Sequence, residues 1–402
     1  MRVKINPKPL SGTMTAPPSK SMAHRLLICS GLSKGTSIVH GISPSEDVLA
    51  TLDCLKAIGA DYSYNKDTVT ITGTDLNGKE YELYCRESGS TLRFFIPICL
   101  INEASASLFG SSKLLSRPLE IYENICNKQN IEYNNDGTQI KLNGRLKSGD
   151  YKVPGNISSQ FISGLLFALP LLDGDSTINI VPPIESCSYI KLTIQALQEF
   201  GIKAEWTDER TLFIKGNQEY QPKEVWVEGD YSNAAFFDAL NYMDSDVTVE
   251  GLKSDSIQGD RVYKTYFEMM KKGTPTVHLS DCPDLGPVFM AVAAAHNGGI
   301  FTGTKRLKIK ESDRGSAMAQ ELGKLGISVN VEDDTIVVYP TDFHKPDSVI
   351  CGHNDHRIVM SMAVLLTKTG GEIEGADAVK KSMPDFFYQL KQLGAEVEIY
   401  ND

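Results

Sequence analysis

Val247-Thr248-Val249-Glu250-Gly251 reads as a short strand, because apolar and polar residues alternate and a glycine closes the run. The pattern returns as Ser37-Ile38-Val39-His40-Gly41, Ser107-Leu108-Phe109-Gly110, Gly299-Ile300-Phe301-Thr302-Gly303 and Gly371-Glu372-Ile373-Glu374-Gly375. Thr177-Ile178-Asn179-Ile180 is a sixth copy without the glycine. The copies recur at intervals of roughly 70 residues, with one shorter step of about 50. After several of them comes a helical pattern ending Leu-x-x-(Leu/Phe)-Gly or close to it. Examples are Leu197 to Gly201, Leu322 to Gly326 and Leu390 to Gly394, with Leu52, Leu55 and Gly59 a residue longer. Glycine at that point predicts a helix end, where a left-handed conformation is needed. A second strand often follows, as in Thr68 to Ile71, Thr211 to Ile214 and Thr335 to Val338.

The repeating unit is thus strand, helix, strand, of mixed α/β character. Solenoid units are usually shorter and more uniform, so six long units predict two groups of three: two domains with a cleft between them. The chain is expected to cross between domains twice. Thr15-Ala16-Pro17-Pro18 is one crossover, since two prolines stop a strand, and Glu228-Gly229-Asp230 is the other, after an extended Val225-Trp226-Val227. One domain would then comprise 1–14 plus 229–402, and the other 15–228.

Composition narrows the function. The chain has 402 residues, of which 41% are hydrophobic, enough for two cores. Its net charge of -11 argues against non-specific nucleic-acid binding, which needs a basic face to release counterions. Eight scattered cysteines without a C-x-x-C pair predict reduced packing thiols and a cytoplasmic location. Neither a signal peptide nor a membrane span is expected.

Against that acidic background, cations recur in Ser/Gly/Asp-rich settings, which points to a focused site for small, multiply charged anions. Ser19-Lys20-Ser21 opens a helical stretch from Met22 to Leu32, with Arg25 one turn in; free N–H groups and the helix dipole favour an anion there. In isolation the tripeptide equally fits a solvated lysine beside a capping serine. Ser88-Gly89-Ser90-Thr91 leads into the apolar run Leu92 to Ile101, with Arg93 in its first turn, and Gly89 lets a ligand approach the backbone. Ser158-Ser159-Gln160 before Phe161 to Leu172 repeats the arrangement, and both also fit ordinary capped, buried helices.

Lys310-Glu311-Ser312-Asp313-Arg314 is expected to begin a helix, placing Lys310 and Arg314 on one face with Glu311 as a proton carrier between cations. A solvated, salt-bridged face is the plainer alternative. Asn354-Asp355-His356-Arg357 precedes an apolar helix, Ile358 to Leu366. Cys351, His353 and His356 make a poor zinc site, lacking a fourth ligand nearby. Asp281 and Asp284, before Leu285 to Ala295, offer a carboxylate at another helix start, where simple N-capping is the alternative. Neither a P-loop nor G-x-G-x-x-G is present.

Taken in order along essentially the whole chain, these motifs resemble the 5-enolpyruvylshikimate-3-phosphate (EPSP) synthase family of enolpyruvyl transferases. The resemblance implies an inside-out α/β barrel fold, with three βαβαββ-type units per domain and the active site in the inter-domain cleft. It implies transfer of the enolpyruvyl group of phosphoenolpyruvate to the 5-hydroxyl of shikimate 3-phosphate, with release of phosphate, by a monomer that needs no metal or organic cofactor. By motif, Lys20, Ser21, Arg25, Ser158, Ser159, Gln160, Ser186, Tyr189, Asp284 and Lys310 resemble the shikimate 3-phosphate contacts. Lys20, Gly89, Arg117, Gln160, Arg314, Arg357 and Lys381 resemble those that hold phosphoenolpyruvate. Asp284 matches the carboxylate that takes the hydroxyl proton, and Glu311 and Lys20 the other proton-transfer groups.

The chain departs from the family pattern at Glu87-Ser88-Gly89-Ser90, where Asn-Ala-Gly-Thr is usual, and at Phe94, where proline is common. These changes bear on the loop that meets phosphoenolpyruvate and the inhibitor glyphosate. Lys308 stands where an arginine is commoner. The sister enzyme acting on UDP-N-acetylglucosamine typically has Lys-Asn near its N-terminus and a cysteine five residues before Arg-Pro. Lys20-Ser21, and Ser112 ahead of Arg117-Pro118, point instead to shikimate 3-phosphate. A non-catalytic anion-binding protein would be expected to lack Asp284, Glu311 or Lys20, and all three are present.

Overall fold

The structure is a computed structural model that describes residues 1–400. The chain packs as two compact units, residues 20–228 and residues 1–19 with 229 onward. Each has its own hydrophobic core, one running from Met22 to Val225 and the other from Val3 to Val397.

All six strand copies read from the sequence are strands: Thr36–His40, Ala104–Phe109, Ser176–Val181, Asp246–Glu250, Gly299–Thr302 and Gly371–Glu374. Five of them sit in four-stranded sheets of one design. In the sheet built from Glu80–Tyr84, Ala104–Phe109, Glu132–Asn135 and Gln139–Gly144, the first two strands are parallel. The fourth pairs antiparallel with both the second and the third. A helix, Gly89–Cys99, joins the parallel pair, and a second, Glu120–Gln129, leads on to the hairpin. This is one βαβαββ unit.

Two of the sheets borrow a strand from a distant part of the chain. Glu224–Trp226 lies parallel to Thr36–His40, supplying the first strand of that unit. Arg2–Asn6 lies between Gly371–Glu374 and Glu396–Tyr400, pairing Val3 with Ile373 and Ile5 with Val397. Among the described residues the sixth sheet has two strands, Ser11–Thr15 parallel to Asp246–Glu250.

Strand patterning shows which layer is inside. Glu80–Tyr84 alternates exposed and buried residues, so its sheet has one wet face. The helices Gly89–Cys99 and Ser159–Ala168 are buried on nearly every side, leaving only Ser90 and Gln160 half-buried. An all-round apolar helix belongs in the middle of a core. Helices therefore lie within and sheets outside. In the split unit, Gly286–Ala295 and His356–Thr369, the latter up to Thr367, are the helices buried in the same way.

The sequence places the first crossover too early. Thr15 pairs with Glu250, the Pro17 carbonyl accepts from the Asp230 N–H at 2.7 Å, and Pro18 bridges Gly229. Residues 15–19 thus belong to the split unit, because the strand that the prolines terminate is held by Asp246–Glu250. Helix ends at Gly201 and Gly326 are left-handed as predicted, with φ of +80° and +82°.

Candidate functional site

In the 20–228 unit, four helix starts carry the residues singled out in the sequence. Lys20 is the first residue of Lys20–Gly31, and its Nζ lies 2.7 Å from Asp47 Oδ2, in the first turn of Glu46–Ala57. Arg25 is buried one turn on. It donates from Nε to Thr193 Oγ1 at 2.8 Å, from Nη1 to the Ser21 carbonyl at 2.6 Å and from Nη2 to the Tyr189 carbonyl at 3.0 Å. Burial pulls Arg25 down to about 10, still charged at neutral pH. Arg25 thus fixes Ser21 relative to Tyr189, with its guanidinium 5.5 Å above the Phe94 ring. Ser186, buried and left-handed at φ +55°, precedes the helix Cys187–Glu199.

Gly89 begins its helix under an Ser88 cap, and Ser158 caps Ser159–Ala168 by accepting from the Gln160 N–H. These two helix starts meet. A Cβ on Gly89 would fall 2.9 Å from Arg117 Nη1, 3.1 Å from Arg93 Nη1 and 3.7 Å from Gln160 Oε1. Arg93 Nη1 donates to Gln160 Oε1 at 2.8 Å, and Gln160 Nε2 donates to Ser90 Oγ at 2.9 Å. Two guanidinium groups and an amide so converge beside Gly89, where a side chain would crowd them. A donor set of this kind is chemically suited to a carboxylate or phosphate.

The split unit holds a second cluster, centred on Asp284. Its Oδ1 lies 3.1 Å from Lys310 Nζ and 2.8 Å from Arg314 Nη1, and its Oδ2 is 3.4 Å from Arg357 Nη2. Arg357 Nη1 also donates to the Asp284 carbonyl at 3.0 Å. Burial would raise the Asp284 carboxyl, but Arg357, Lys310 and Arg314 together hold it well below the usual carboxylate range. Arg314, 1% exposed, also meets Glu311 Oε2 at 2.7 Å and Asp355 Oδ2 at 2.9 Å. Burial opposes its charge, yet Asp355, Glu311 and Asp284 outweigh that and hold it above the usual arginine range. Burial lowers Lys310, with Asp284 opposing. Lys381 Nζ donates to the Asn354 carbonyl at 2.6 Å.

One local expectation needs correction, and one alternative reading falls. Lys310 and Arg314 do not share a helical face. Asp313 caps the helix by accepting from the Ser316 N–H, so the helix is Arg314–Gly323 and Lys310 lies before it. The two cations meet on the Asp284 carboxylate instead. Nor does Asp284 cap a helix: it lies in a 3-10 turn, Pro283–Leu285, and its oxygens go to the cations. Lys308 pairs with Asp333 at 3.1 Å on the surface.

Sequence reading passed over Asp47, Arg93 as a ligand group, and Asp355. Asp355 is fully buried, caps His356–Thr369 and braces both Arg314 and Ser312. An aspartate in the capping position before His356-Arg357 and an apolar run was the available signal, but its partner Arg314 is distant in sequence. Phe94, which replaces a common proline, is buried with its ring edge-on to Phe167 at 5.3 Å.

Comparison with known proteins settles the family. The family model described as EPSP synthase (3-phosphoshikimate 1-carboxyvinyltransferase) matches residues 5–390. The chain belongs to the EPSP synthase family. It is 39% identical to the 3-phosphoshikimate 1-carboxyvinyltransferase of Clostridium kluyveri and 41% identical to that of Clostridium perfringens strain 13, with 98% of each chain covered. Among solved structures it resembles an EPSP synthase from Acinetobacter baumannii, with a TM-score of 0.78 at 24% identity over 99% of this chain and 100% of the other. The enolpyruvyl transferase NikO from Streptomyces tendae superposes with a TM-score of 0.80 at 14% identity, over 99% and 98%. These two show the shared enolpyruvyl transferase fold. The chain is an enzyme, a 3-phosphoshikimate 1-carboxyvinyltransferase of the shikimate pathway, and a UDP-N-acetylglucosamine transferase is not favoured. None of its helices is long and apolar enough to cross a membrane, among the described residues.

Proposed function

We propose that Asp284 is the base of the transferase reaction, and that the two clusters hold its two anionic substrates. Shikimate 3-phosphate is assigned to Lys20, Ser21, Arg25, Ser158, Ser159, Gln160, Ser186, Tyr189, Asp284 and Lys310. Phosphoenolpyruvate is assigned to Lys20, Gly89, Arg117, Gln160, Arg314, Arg357 and Lys381. The observation that carries this reading is the Asp284 carboxylate held by three cations. A base must be ionised, and these cations keep it so at any working pH.

The cations have a second use. Asp284, Glu311 and Asp355 pair with these cations, so an incoming carboxylate or phosphate competes for the same groups. As Arg357 and Lys310 turn to substrate oxygens, Asp284 loses stabilising charge and its affinity for a proton rises. It then takes the 5-hydroxyl proton as that oxygen attacks C2 of phosphoenolpyruvate. Lys20 or Glu311 protonates the methylene carbon, giving a tetrahedral phospholactoyl intermediate. Elimination returns a methyl proton to the protein and breaks the bond to phosphate. The products are 5-enolpyruvylshikimate 3-phosphate and phosphate, which balances the step without an oxidant. The protein is taken to work in the cytoplasm as a monomer.

The test is phosphate release from phosphoenolpyruvate, with shikimate 3-phosphate and with UDP-N-acetylglucosamine in parallel. Release is expected with shikimate 3-phosphate alone. Asp284→Ala is expected to abolish turnover while shikimate 3-phosphate still binds in calorimetry. Turnover at the parent rate in that variant would remove Asp284 from the mechanism.

A further inference from the structure

Behind the 20–228 cluster runs a chain of buried polar groups that the reaction scheme leaves unused. His24 Nδ1 lies 2.7 Å from Thr51 Oγ1, Thr51 Oγ1 lies 2.8 Å from Thr91 Oγ1, and Thr91 Oγ1 donates to Ser88 Oγ at 2.7 Å. All four side chains are within 1% of full burial. Each threonine hydroxyl has one proton to give. The Thr91 proton goes to Ser88, so Thr91 accepts from Thr51. The Thr51 proton is thereby spent, so Thr51 accepts from His24. Nδ1 must then carry the imidazole proton, and Nε2 is a bare lone pair, buried without a hydrogen-bond partner among the described residues.

The chain joins three elements, each bearing a residue of the cluster. His24 stands four residues after Lys20, on the same face of Lys20–Gly31. Thr51 stands four residues after Asp47, the Lys20 partner, in Glu46–Ala57. Ser88 caps the helix that begins at Gly89, accepting from the Thr91 N–H as well as from its hydroxyl. Burial, and then Lys20 and Arg25, hold His24 well below the usual histidine range, so its imidazole is neutral.

We propose that His24, Thr51, Thr91 and Ser88 form a one-way donor chain that sets the Lys20–Asp47 pair and the Gly89 helix start in register for phosphoenolpyruvate, with His24 its positioning residue. This rests on the assignment of Lys20 and Gly89 to that substrate. A lost donor leaves a hydroxyl free to turn, and the helix starts then drift by fractions of an ångström relative to one another. Such drift weakens ligand binding more than it weakens the fold.

Three substitutions at His24 separate donor position from size. The Asn amide nitrogen reproduces Nδ1–H, whereas Gln places its donor farther out and Leu has none. His24→Leu, His24→Gln and Thr51→Val are expected to raise KM for phosphoenolpyruvate about tenfold, ~1.4 kcal/mol, with kcat within about twofold. His24→Asn and Thr51→Ser are expected to stay near the parent. Nitrogen NMR of labelled histidine in the unsubstituted protein should show His24 protonated at Nδ1 and bare at Nε2. An Nε2–H tautomer, an unchanged KM in the Leu and Val variants, or equal damage in the Asn and Leu variants would each overturn the proposal. The tautomer measurement needs no folded variant. Parent protein that releases no phosphate with shikimate 3-phosphate would sink the substrate assignment and leave the tautomer result standing.

Discussion

At the scale of single residues, charge decides the chemistry, and one carboxyl stands out for being held the opposite way from Asp284. Asp260 is 4% exposed, in the 3-10 turn Gly259–Val262. Burial first, and then the Asp284 carboxylate, push it up to about 7, although Arg357 opposes. The sign follows directly. Between about pH 4 and pH 7 the folded protein holds a proton on Asp260 that the unfolded chain has released. Its contribution to stability is therefore fully present below about pH 4 and is lost progressively as the pH rises from there to about 7, by up to about 4 kcal/mol in all. Asp260→Asn, which keeps the site neutral, should flatten that slope. Urea unfolding of both proteins at pH 5 and pH 8 measures it, and parallel pH slopes would show that Asp260 ionises freely. Residue-level legibility had the same boundary. Lys20, Arg25, Gly89 and Arg314 were visible because each sits in a short polar motif at a helix start. Asp47, Arg93 and Asp355 were not singled out, because their roles come from partners 27, 67 and 41 positions away.

At the scale of elements, the repeat was legible because strand alternation and helix-ending glycines are local signals. Gly201 closes Cys187–Glu199 at φ +80°, a conformation an L-side chain adopts only at a cost. Gly323 ends Arg314–Gly323 without positive φ, and a Cβ there would meet nothing within 4 Å. The two sites make a matched pair. Gly201→Ala should cost about 1 kcal/mol and lower the melting point by a few degrees. Gly323→Ala should be neutral or stabilise by a few tenths of a kcal/mol, since it removes freedom from the unfolded chain. Calorimetry of both variants checks this, and equal effects would mean that backbone conformation does not distinguish them. The Lys310–Arg314 segment was read less well. Its spacing of four mimics a helical face, and only the Asp313 cap shows that the helix begins later. An N-cap aspartate followed by a helix-compatible run looks the same from sequence whether the preceding residues are helical or extended.

At the scale of the whole molecule, the sequence implied six units in two groups. It could not show that two sheets borrow strands from distant parts of the chain, because strand pairing at such separation leaves no local trace. The borrowing has a consequence for folding. Glu224–Trp226 pairs with Thr36–His40, so the 20–228 unit is complete only if it keeps its last strand. Its core, from Met22 to Val225, lies wholly inside that range. Residues 20–228 expressed alone should therefore fold with a single cooperative transition in denaturant, of which a fragment stopping at Gln221 loses a measurable part. The split unit offers the converse test. Pro18 bridges Gly229, and the Pro17 carbonyl meets the Asp230 N–H at 2.7 Å, so the cut ends are adjacent. A short glycine linker from Ser19 to Gly229 should close that unit, because joining ends already in contact adds little loop entropy. Circular dichroism and urea titration of both pieces would read the outcome. Two cooperative transitions would establish that each core suffices for its own unit. A non-cooperative melt in either piece would mean that its strands are held by more than the sheet and core that enclose them.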